Sequence, residues 1–420
     1  MRAAAGLATA MMLAAGVAQA QEIPYQPQTL PAPGVTACPG GLCGVEGLAP
    51  LFEALKATET GARHAPVHIV QIGDSHTAGD RITGAVRAAL QARFGHGGRG
   101  VLSAGVPHAG YAPYQVQVTA QDWSVSTAPL TPRGGFARAD VGLAGIMPPA
   151  YGRAPGLTLT FEPGAEPTEL HLCGRGGPQA DGFQVAVGQR MLSLSLRAGQ
   201  VGPLCRWLNL HQAAGVLELR AEGRGPLAYS LSVRRDGPGV MVSNLGVVGA
   251  TLRDLAARDQ AVVAAELADW RPSLIVLAFG TNEGFEDDLD PAAYEALLRD
   301  QIARLRRMSP VSGLLILGAP DALRTGAPNP CSADGRRAPP PSLAVVRDVQ
   351  RRVAADTGVA YWDWQGRMGG DCASDRLATM AEPLMRGDRV HFTSAGADWI
   401  GGVLSADLMA AYDAWKGEER

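Results

Sequence analysis

The sequence predicts an α/β domain built on a parallel sheet and interrupted by an antiparallel β-sandwich. Two patterns carry this expectation. Short apolar, strand-like runs alternate with amphipathic helices early in the chain and again over its last third, as in a parallel sheet covered on both faces. Between about 112 and 238 the apolar period shortens to two, Gly and Pro turns separate the runs, and helix signals are scarce. Composition agrees: of 420 residues, 46% are hydrophobic and 18% charged, enough apolar material for a sizeable core.

In chain order, Arg2 precedes an apolar, Ala-rich run from Ala3 to Val17, and Ala18-Gln19-Ala20 supplies the small residues a signal peptidase requires. Residues 1–20 therefore read as a secretory signal cleaved after Ala20. An uncleaved anchor is the competing reading, but the run is short for a bilayer span. Val35-Thr36-Ala37-Cys38 loosely resembles a lipoprotein cleavage site but lies too far beyond the apolar run. No later stretch is long and apolar enough to span a bilayer, so the expectation is a periplasmic or secreted protein with no stable membrane insertion. The net charge of −3 offers no basic field for a nucleic-acid backbone, which sets nucleic acid aside as a partner.

Residues 21–45, rich in Pro, Gly and Gln, read as an extended lead-in. The first part of the α/β domain, 46–111, holds a helix over Gly47–Thr58, a strand over Val67–Ile72 and a helix over Gly79–Phe94. The inserted sandwich, 112–238, shows strand runs at Leu157–Phe161, Glu169–Leu172, Arg190–Leu196, Gly215–Ala221 and Tyr229–Arg234. The second part of the α/β domain, 239–420, alternates helix Leu255–Trp270, strand Leu274–Phe279, helix Pro291–Met308 and strand Gly313–Leu317. Helix Ser342–Asp356, strand Val359–Trp362 and helix Ser394–Trp415 complete it.

Six cysteines follow the signal. An even number in an exported chain suggests disulfides, and spacing favours the neighbours Cys38–Cys43, Cys173–Cys205 and Cys331–Cys372, although other connectivities stay open. A zinc site is the rival reading, and the absence of a CxxC pair argues against it.

Four blocks carry chemistry. Gly73-Asp74-Ser75-His76 follows the first buried strand, where a tight turn exposes Ser75 at the carboxyl edge of the sheet. Ser243–Thr251 is a Gly-punctuated loop, Phe279-Gly280-Thr281-Asn282-Glu283 ends a strand, and Asp388-Arg389-Val390-His391 precedes the last helix. A serine hydroxyl needs an adjacent base, imidazole suits that task near neutral pH, and a carboxylate can hold the ring.

Together the blocks resemble the SGNH, or GDSL-type, hydrolase family over about 64–110 and 240–412. The resemblance implies a flavodoxin-like three-layer fold around a five-stranded parallel sheet. It implies Ser75 as nucleophile, His391 as base and Asp388 as its orienting carboxylate. The oxyanion donors it implies are the N–H groups of Ser75 and Gly249 and the Asn282 amide; neither metal nor other cofactor is expected. His76 departs from the family's usual Leu, and the stretch from Ser75 to Gly249 is long. Both features resemble exported peptidoglycan O-acetylesterases, which carry a carbohydrate-binding-module-like sandwich in this position.

The expected function is therefore an exported serine esterase removing O-acetyl groups from a cell-wall polysaccharide, peptidoglycan first. The alternatives are a deacetylase or acetyltransferase acting on exopolysaccharide or cellulose, or a non-catalytic polysaccharide-binding protein. The expected partner is the acetylated polymer; the sequence leaves the oligomeric state open. For His76 a helix-start or packing role is expected, and Glu283 is open between structure and substrate contact. Trp123 and Trp207 read as sandwich core before sugar platforms, Tyr361–Trp364 as a cap on the sheet edge, and Asp287, Asp288 and Asp290 as a solvated acidic loop.

Overall fold

The computed structural model describes residues 38, 41–131 and 137–418. The expected signal, 1–20, and most of the lead-in lie outside the described residues. No described helix is long and apolar enough to cross a membrane.

The central sheet has six strands: β1 (Leu42–Cys43), β2 (Val67–Gly73), β3 (Val240–Gly246), β4 (Leu274–Ala278), β5 (Gly313–Leu317) and β6 (Ala360–Trp362). Their order is β1-β6-β5-β4-β2-β3. Strands β2 to β6 run parallel, and β1, from the end of the lead-in, closes the edge antiparallel to β6. Each inner strand is buried on both faces because its side chains alternate between two cores. Val67 and Ile69 of β2 pack with Ile82, Val86, Leu90 and Leu404, whereas Val70 and Ile72 pack with Val263, Leu298 and Val346. Helices Ala49–Glu59, Arg81–Phe94 and Ser394–Glu418 thus cover one face, and Gln260–Trp270, Pro291–Met308 and Pro341–Thr357 the other. This is the three-layer arrangement expected.

Three local expectations need correction. The helix expected over Leu255–Trp270 is two helices, Leu252–Ala256 and Gln260–Trp270. Thr251 and Asp254 form a capping box on the first; Asp259 accepts the N–H groups of Ala261 and Val262 and starts the second. The helix expected from Gly79 begins at Arg81, with Ser75–Ala78 a separate single turn. The first part of the expected Ser243–Thr251 loop belongs to strand β3, whose Ser243 hydroxyl is buried between His68 Nε2 (2.6 Å) and the Val101 N–H (2.8 Å).

The insertion is a sandwich of two antiparallel sheets. One orders Val116–Ser124, Ala150–Phe161, Val216–Ala221, Phe183–Val187 and Arg190–Leu194; the other orders Gly100–Leu102, Ala228–Arg234, Glu169–Gly176 and Gly202–Asn209. Strand Gly100–Leu102 thus joins the sandwich from upstream of residue 112. Leu157, Val185 and Leu219 from the first sheet meet Leu170, Leu172 and Leu231 from the second in a cluster continuous with one face of the α/β core. Trp123 is buried there, donating to the Ala104 carbonyl at 2.8 Å, but Trp207 is 59% exposed and stacks on His171.

Disulfides join Cys38–Cys43, Cys173–Cys205 and Cys331–Cys372. Cys173 and Cys205 are register partners on adjacent strands, and Cys205 packs against the carbonyl of Ala265 in helix Gln260–Trp270. Among the described residues one group has metal-ligand spacing, Cys173, Cys205 and Asp269; its sulfurs are tied in the bridge and offer no thiolate.

Candidate active site

The site forms where the carboxyl ends of β2, β3 and β4 meet the loop before the last helix. At Gly73 a Cβ would collide with Thr77 Oγ1 and the Ala278 carbonyl, so the chain can turn this tightly only with glycine. Asp74 caps the single turn Ser75–Ala78 by accepting the His76 N–H at 2.9 Å, which leaves Ser75 at its first position.

The structure brings Ser75, His391 and Asp388 together across more than 300 residues of chain. Ser75 Oγ lies 3.0 Å from His391 Nε2, and His391 Nδ1 lies 2.8 Å from Asp388 Oδ2. The second carboxylate oxygen, Oδ1, accepts the N–H groups of Val390 (2.9 Å) and His391 (3.0 Å). Partial burial by itself would raise the Asp388 pKa; the His391 N–H and ring and the Val390 N–H outweigh it and hold the carboxyl below its ordinary value. The loop is pinned at its base, where the Arg386 N–H donates to the His391 carbonyl (2.7 Å) and the Thr393 N–H to that of Leu384 (3.0 Å).

Gly249 sits in a turn after β3 with φ +78°, a left-handed conformation that glycine adopts freely. That turn is fastened to the serine turn by the Val247 N–H donating to the Gly73 carbonyl at 3.0 Å. Among the described residues, neither the Ser75 nor the Gly249 N–H donates to a protein acceptor. Asn282 lies on the single turn Thr281–Gly284 after β4, and one amide hydrogen donates to the Ala250 carbonyl at 2.9 Å, leaving the other unassigned. A bond of this kind fixes the amide's orientation before any substrate arrives.

The structure resolves Glu283 as structural. It is buried, accepting the N–H of Leu252 at 2.8 Å and that of Gly280 at 3.0 Å, so one carboxyl ties the Gly249 loop to the Asn282 loop. Burial pushes it up to about 7, against the pull of the Leu252 N–H. His76 is also buried, stacked on His391 and packed against Trp364. Trp364 is buried behind His76 and Phe392, which line the site, instead of capping the sheet edge, and Tyr361 and Trp362 lie on β6, which β1 covers. The acidic loop is partnered: Asp290 caps helix Pro291–Met308 and Asp287 pairs with Arg324.

Ser75 and His391 open into a groove of about 700 Å³ lined also by His108, Tyr114, Glu162 and Arg386. Glu162 closes strand Ala150–Phe161 and Tyr114 lies on the segment leading into the sandwich, so the insertion side supplies one wall. A second groove of about 710 Å³ lies on the five-stranded sheet, lined by residues that include Gln121, Arg153, Thr158, Glu218 and Arg220, none of them from the four blocks. Sequence patterning did not single out Tyr114, Glu162 or Arg386, because isolated polar and aromatic residues on loops carry no periodic signal.

The GDSL-like Lipase/Acylhydrolase family matches residues 213–399, a range that takes in Gly249, Asn282, Asp388 and His391 and stops short of Ser75. A solved peptidoglycan O-acetylesterase superposes with a TM-score of 0.73 at 26% identity, covering 89% of this chain and 99% of its own. Family two carbohydrate esterases are more distant. That from Clostridium thermocellum gives a TM-score of 0.27 at 13% identity, covering 61% of this chain and 91% of its own. That from Cellvibrio japonicus gives 0.26 at 11%, covering 71% and 99%. No curated protein matches by sequence. The chain resembles the GDSL-like acylhydrolases, and the family match and the superposition together support an SGNH-type esterase. Within that class it resembles the peptidoglycan O-acetylesterases.

Proposed function

We propose that this protein is an exported O-acetylesterase acting on a cell-wall polysaccharide, with peptidoglycan as its first substrate. The observation that carries the reading is the hydrogen-bonded chain Ser75–His391–Asp388 at the floor of an open groove. Ser75 Oγ attacks the acetyl carbonyl carbon while its proton passes to His391 Nε2, and Asp388 stabilises the imidazolium through Nδ1–H. The carbonyl oxygen becomes an oxyanion held by the N–H groups of Ser75 and Gly249 and the Asn282 amide. Collapse breaks the ester bond, and the sugar oxygen leaves with the proton from His391. A water molecule then attacks the acetyl-serine, with His391 again taking the proton, and acetate departs.

The choice of polymer is supported by the likeness to the solved peptidoglycan O-acetylesterase across nearly the whole chain and by the exported address expected from residues 1–20. The sandwich is read as the module that positions polymer, since its side of the molecule lines the groove. The test is acetate release from a panel of O-acetylated peptidoglycan, acetylated exopolysaccharide and cellulose acetate, with Ser75→Ala as control. The expected result is highest kcat/KM on peptidoglycan and none above background with Ser75→Ala. Preference for another polymer would overturn the substrate, and full activity of Ser75→Ala would overturn the mechanism.

A further inference from the structure

Two buried histidines bridge distant segments of this chain, and their partners differ in a way that fixes their charge. His68 places Nδ1 3.2 Å from the Trp270 carbonyl and Nε2 2.6 Å from the Ser243 hydroxyl. A hydroxyl can donate as well as accept, so a neutral ring with one N–H satisfies both contacts. Burial accordingly pushes His68 down to about 4.

His76 has no such freedom. Its Nδ1 lies 3.2 Å from Asp74 Oδ1 and its Nε2 2.9 Å from the Val390 carbonyl. Asp74 Oδ1 already accepts the His76 backbone N–H, and a backbone carbonyl can only accept, so both ring nitrogens carry hydrogen for both bonds to exist. The ring is then an imidazolium with a buried counter-charge, as a buried ion requires. Burial disfavours that charge, but Asp74 more than compensates and the pKa of His76 lies above its ordinary value.

The two bonds run to the residues just before the chemistry: Asp74 precedes Ser75, and Val390 precedes His391. The His76 ring also stacks on His391, with centroids 5.5 Å apart and planes inclined by 28°, while Trp364 and Phe392 pack edge-on against it. The ionisable groups facing His76 are Asp74 on its own turn and Asp388 and His391 on the base loop; the helix Trp364–Met368 presents only an indole. Each imidazole keeps its own carboxylate partner, His76 with Asp74 and His391 with Asp388.

We propose that His76 is a positioning residue whose doubly protonated ring clamps the Ser75 turn to the His391 loop, and that loss of its proton sets the alkaline limit of activity. This rests on the Ser75–His391 mechanism above. Below the raised pKa both bonds hold; as pH rises through it the remaining N–H stays on Nδ1 against the Asp74 carboxylate, the Nε2 bond to the Val390 carbonyl fails, and the serine and base segments lose the hydrogen bond His76 makes between them. A misplacement of about 1 Å between reacting groups can cost roughly 100-fold.

The experiment measures kcat/KM on a small aryl acetate from pH 5 to 10 for the parent, Ser75→Ala, His76→Gln and His76→Leu, with melting curves for each. The expected parent profile falls on the alkaline side, and that limb is absent from both His76 variants because neither side chain titrates. His76→Gln, which keeps a donor for the Val390 carbonyl, retains more activity at pH 7 than His76→Leu, which brings in the side chain usual in the family. An unchanged alkaline limb in either folded variant would reduce His76 to packing. Imidazole 15N NMR of the parent gives an independent reading: both His76 nitrogens are expected protonated at pH 6, and a neutral tautomer there would overturn the proposal even if neither variant folds. Activity surviving in Ser75→Ala would instead defeat the underlying mechanism.

Discussion

Asn282→Ala separates a donor for the transition state from a residue that binds substrate. The Asn282 amide has two hydrogens, and one is engaged with the Ala250 carbonyl at 2.9 Å. Truncation removes the hydrogen available to the oxyanion and also the strut that aims it. Loss of one oxyanion donor typically lowers kcat by about 100- to 1000-fold, or ~3–4 kcal/mol of transition-state stabilisation. Loss of the strut costs only about 1 kcal/mol of stability, the net worth of an ordinary hydrogen bond. The fold should survive because Glu283 still joins Leu252 to Gly280 and holds the two loops together. The assay is steady-state kinetics on a small aryl acetate, with Asn282→Asp beside Asn282→Ala. The aspartate keeps the size but brings oxygen atoms towards both the Ala250 carbonyl and the developing charge, and should be the worse of the two. A large rise in KM at unchanged kcat would refute the assignment and make Asn282 a ground-state binding group.

Further outcomes follow from the same geometry. Asp388→Asn should lower kcat by about 10⁴, since an amide cannot both accept Nδ1–H and stabilise the imidazolium; stopped-flow acylation on a small ester measures it. Burial pushes Glu266 up to about 7 while it accepts the Leu143 N–H and the Ser230 hydroxyl, so its stabilising contribution is full below about pH 4.5 and is lost as pH rises through 7. Glu266→Gln should therefore flatten the fall in melting temperature between pH 5.5 and 8, and an unaltered slope would contradict this. Removing the Cys173–Cys205 bridge, which spans a sequence separation of 32, should cost about 3–4 kcal/mol in denaturant melts while leaving aryl-acetate activity largely intact. Tyr114→Ala should lower kcat/KM on acetylated polymer several-fold more than on an aryl acetate, because remote contacts contribute orientation that a small ester never uses; equal losses on both would deny the groove a polymer role.

What could be read in the sequence was whatever announces itself locally. The inner strands β4 and β5 are unbroken apolar runs, β2 is a β-branched run interrupted by His68 and Gln71, and the four blocks place their functional side chains at strand ends. What could not be read depends on partners far along the chain. Strand β3 hides because Ser243 and Asn244 look like loop residues until His68, Val101 and Thr77 are seen to take their polar atoms. The helix break before Gln260 hides because Ala257 and Arg258 keep the helical period, and only the Asp254 and Asp259 caps show two starts. His76 and Glu283 sit inside recognisable blocks, yet their roles lie in bonds to Val390 and Leu252, and no spacing rule connects those pairs.

The same dependence on distant partners explains why the insertion and the catalytic serine share a groove. Asp80, five residues after Ser75, is buried with two buried arginines: Arg87 lies 2.7 Å from its Oδ1 and Arg99 2.8 Å from its Oδ2. Burial alone would raise its pKa, but the two guanidinium groups outweigh that and keep it ionised. Thr83 donates to the same carboxylate at 2.7 Å, and so does the backbone N–H of Tyr114 at 2.9 Å. Arg99 in turn donates to the Tyr114 carbonyl at 3.1 Å. Buried charges tolerate little displacement, because a broken contact leaves an ion without compensation in a medium that cannot solvate it. The segment entering the sandwich is therefore fixed at Tyr114 by the carboxylate of Asp80, the residue whose backbone N–H donates to the Thr77 carbonyl of the nucleophile turn at 3.0 Å. The Tyr114 wall of the groove is thus set by electrostatics within the catalytic domain, and sandwich packing need not place it. The sandwich can accordingly vary in its outer face, where Arg153 and Arg220 line the second groove, without disturbing the distance from Tyr114 to Ser75.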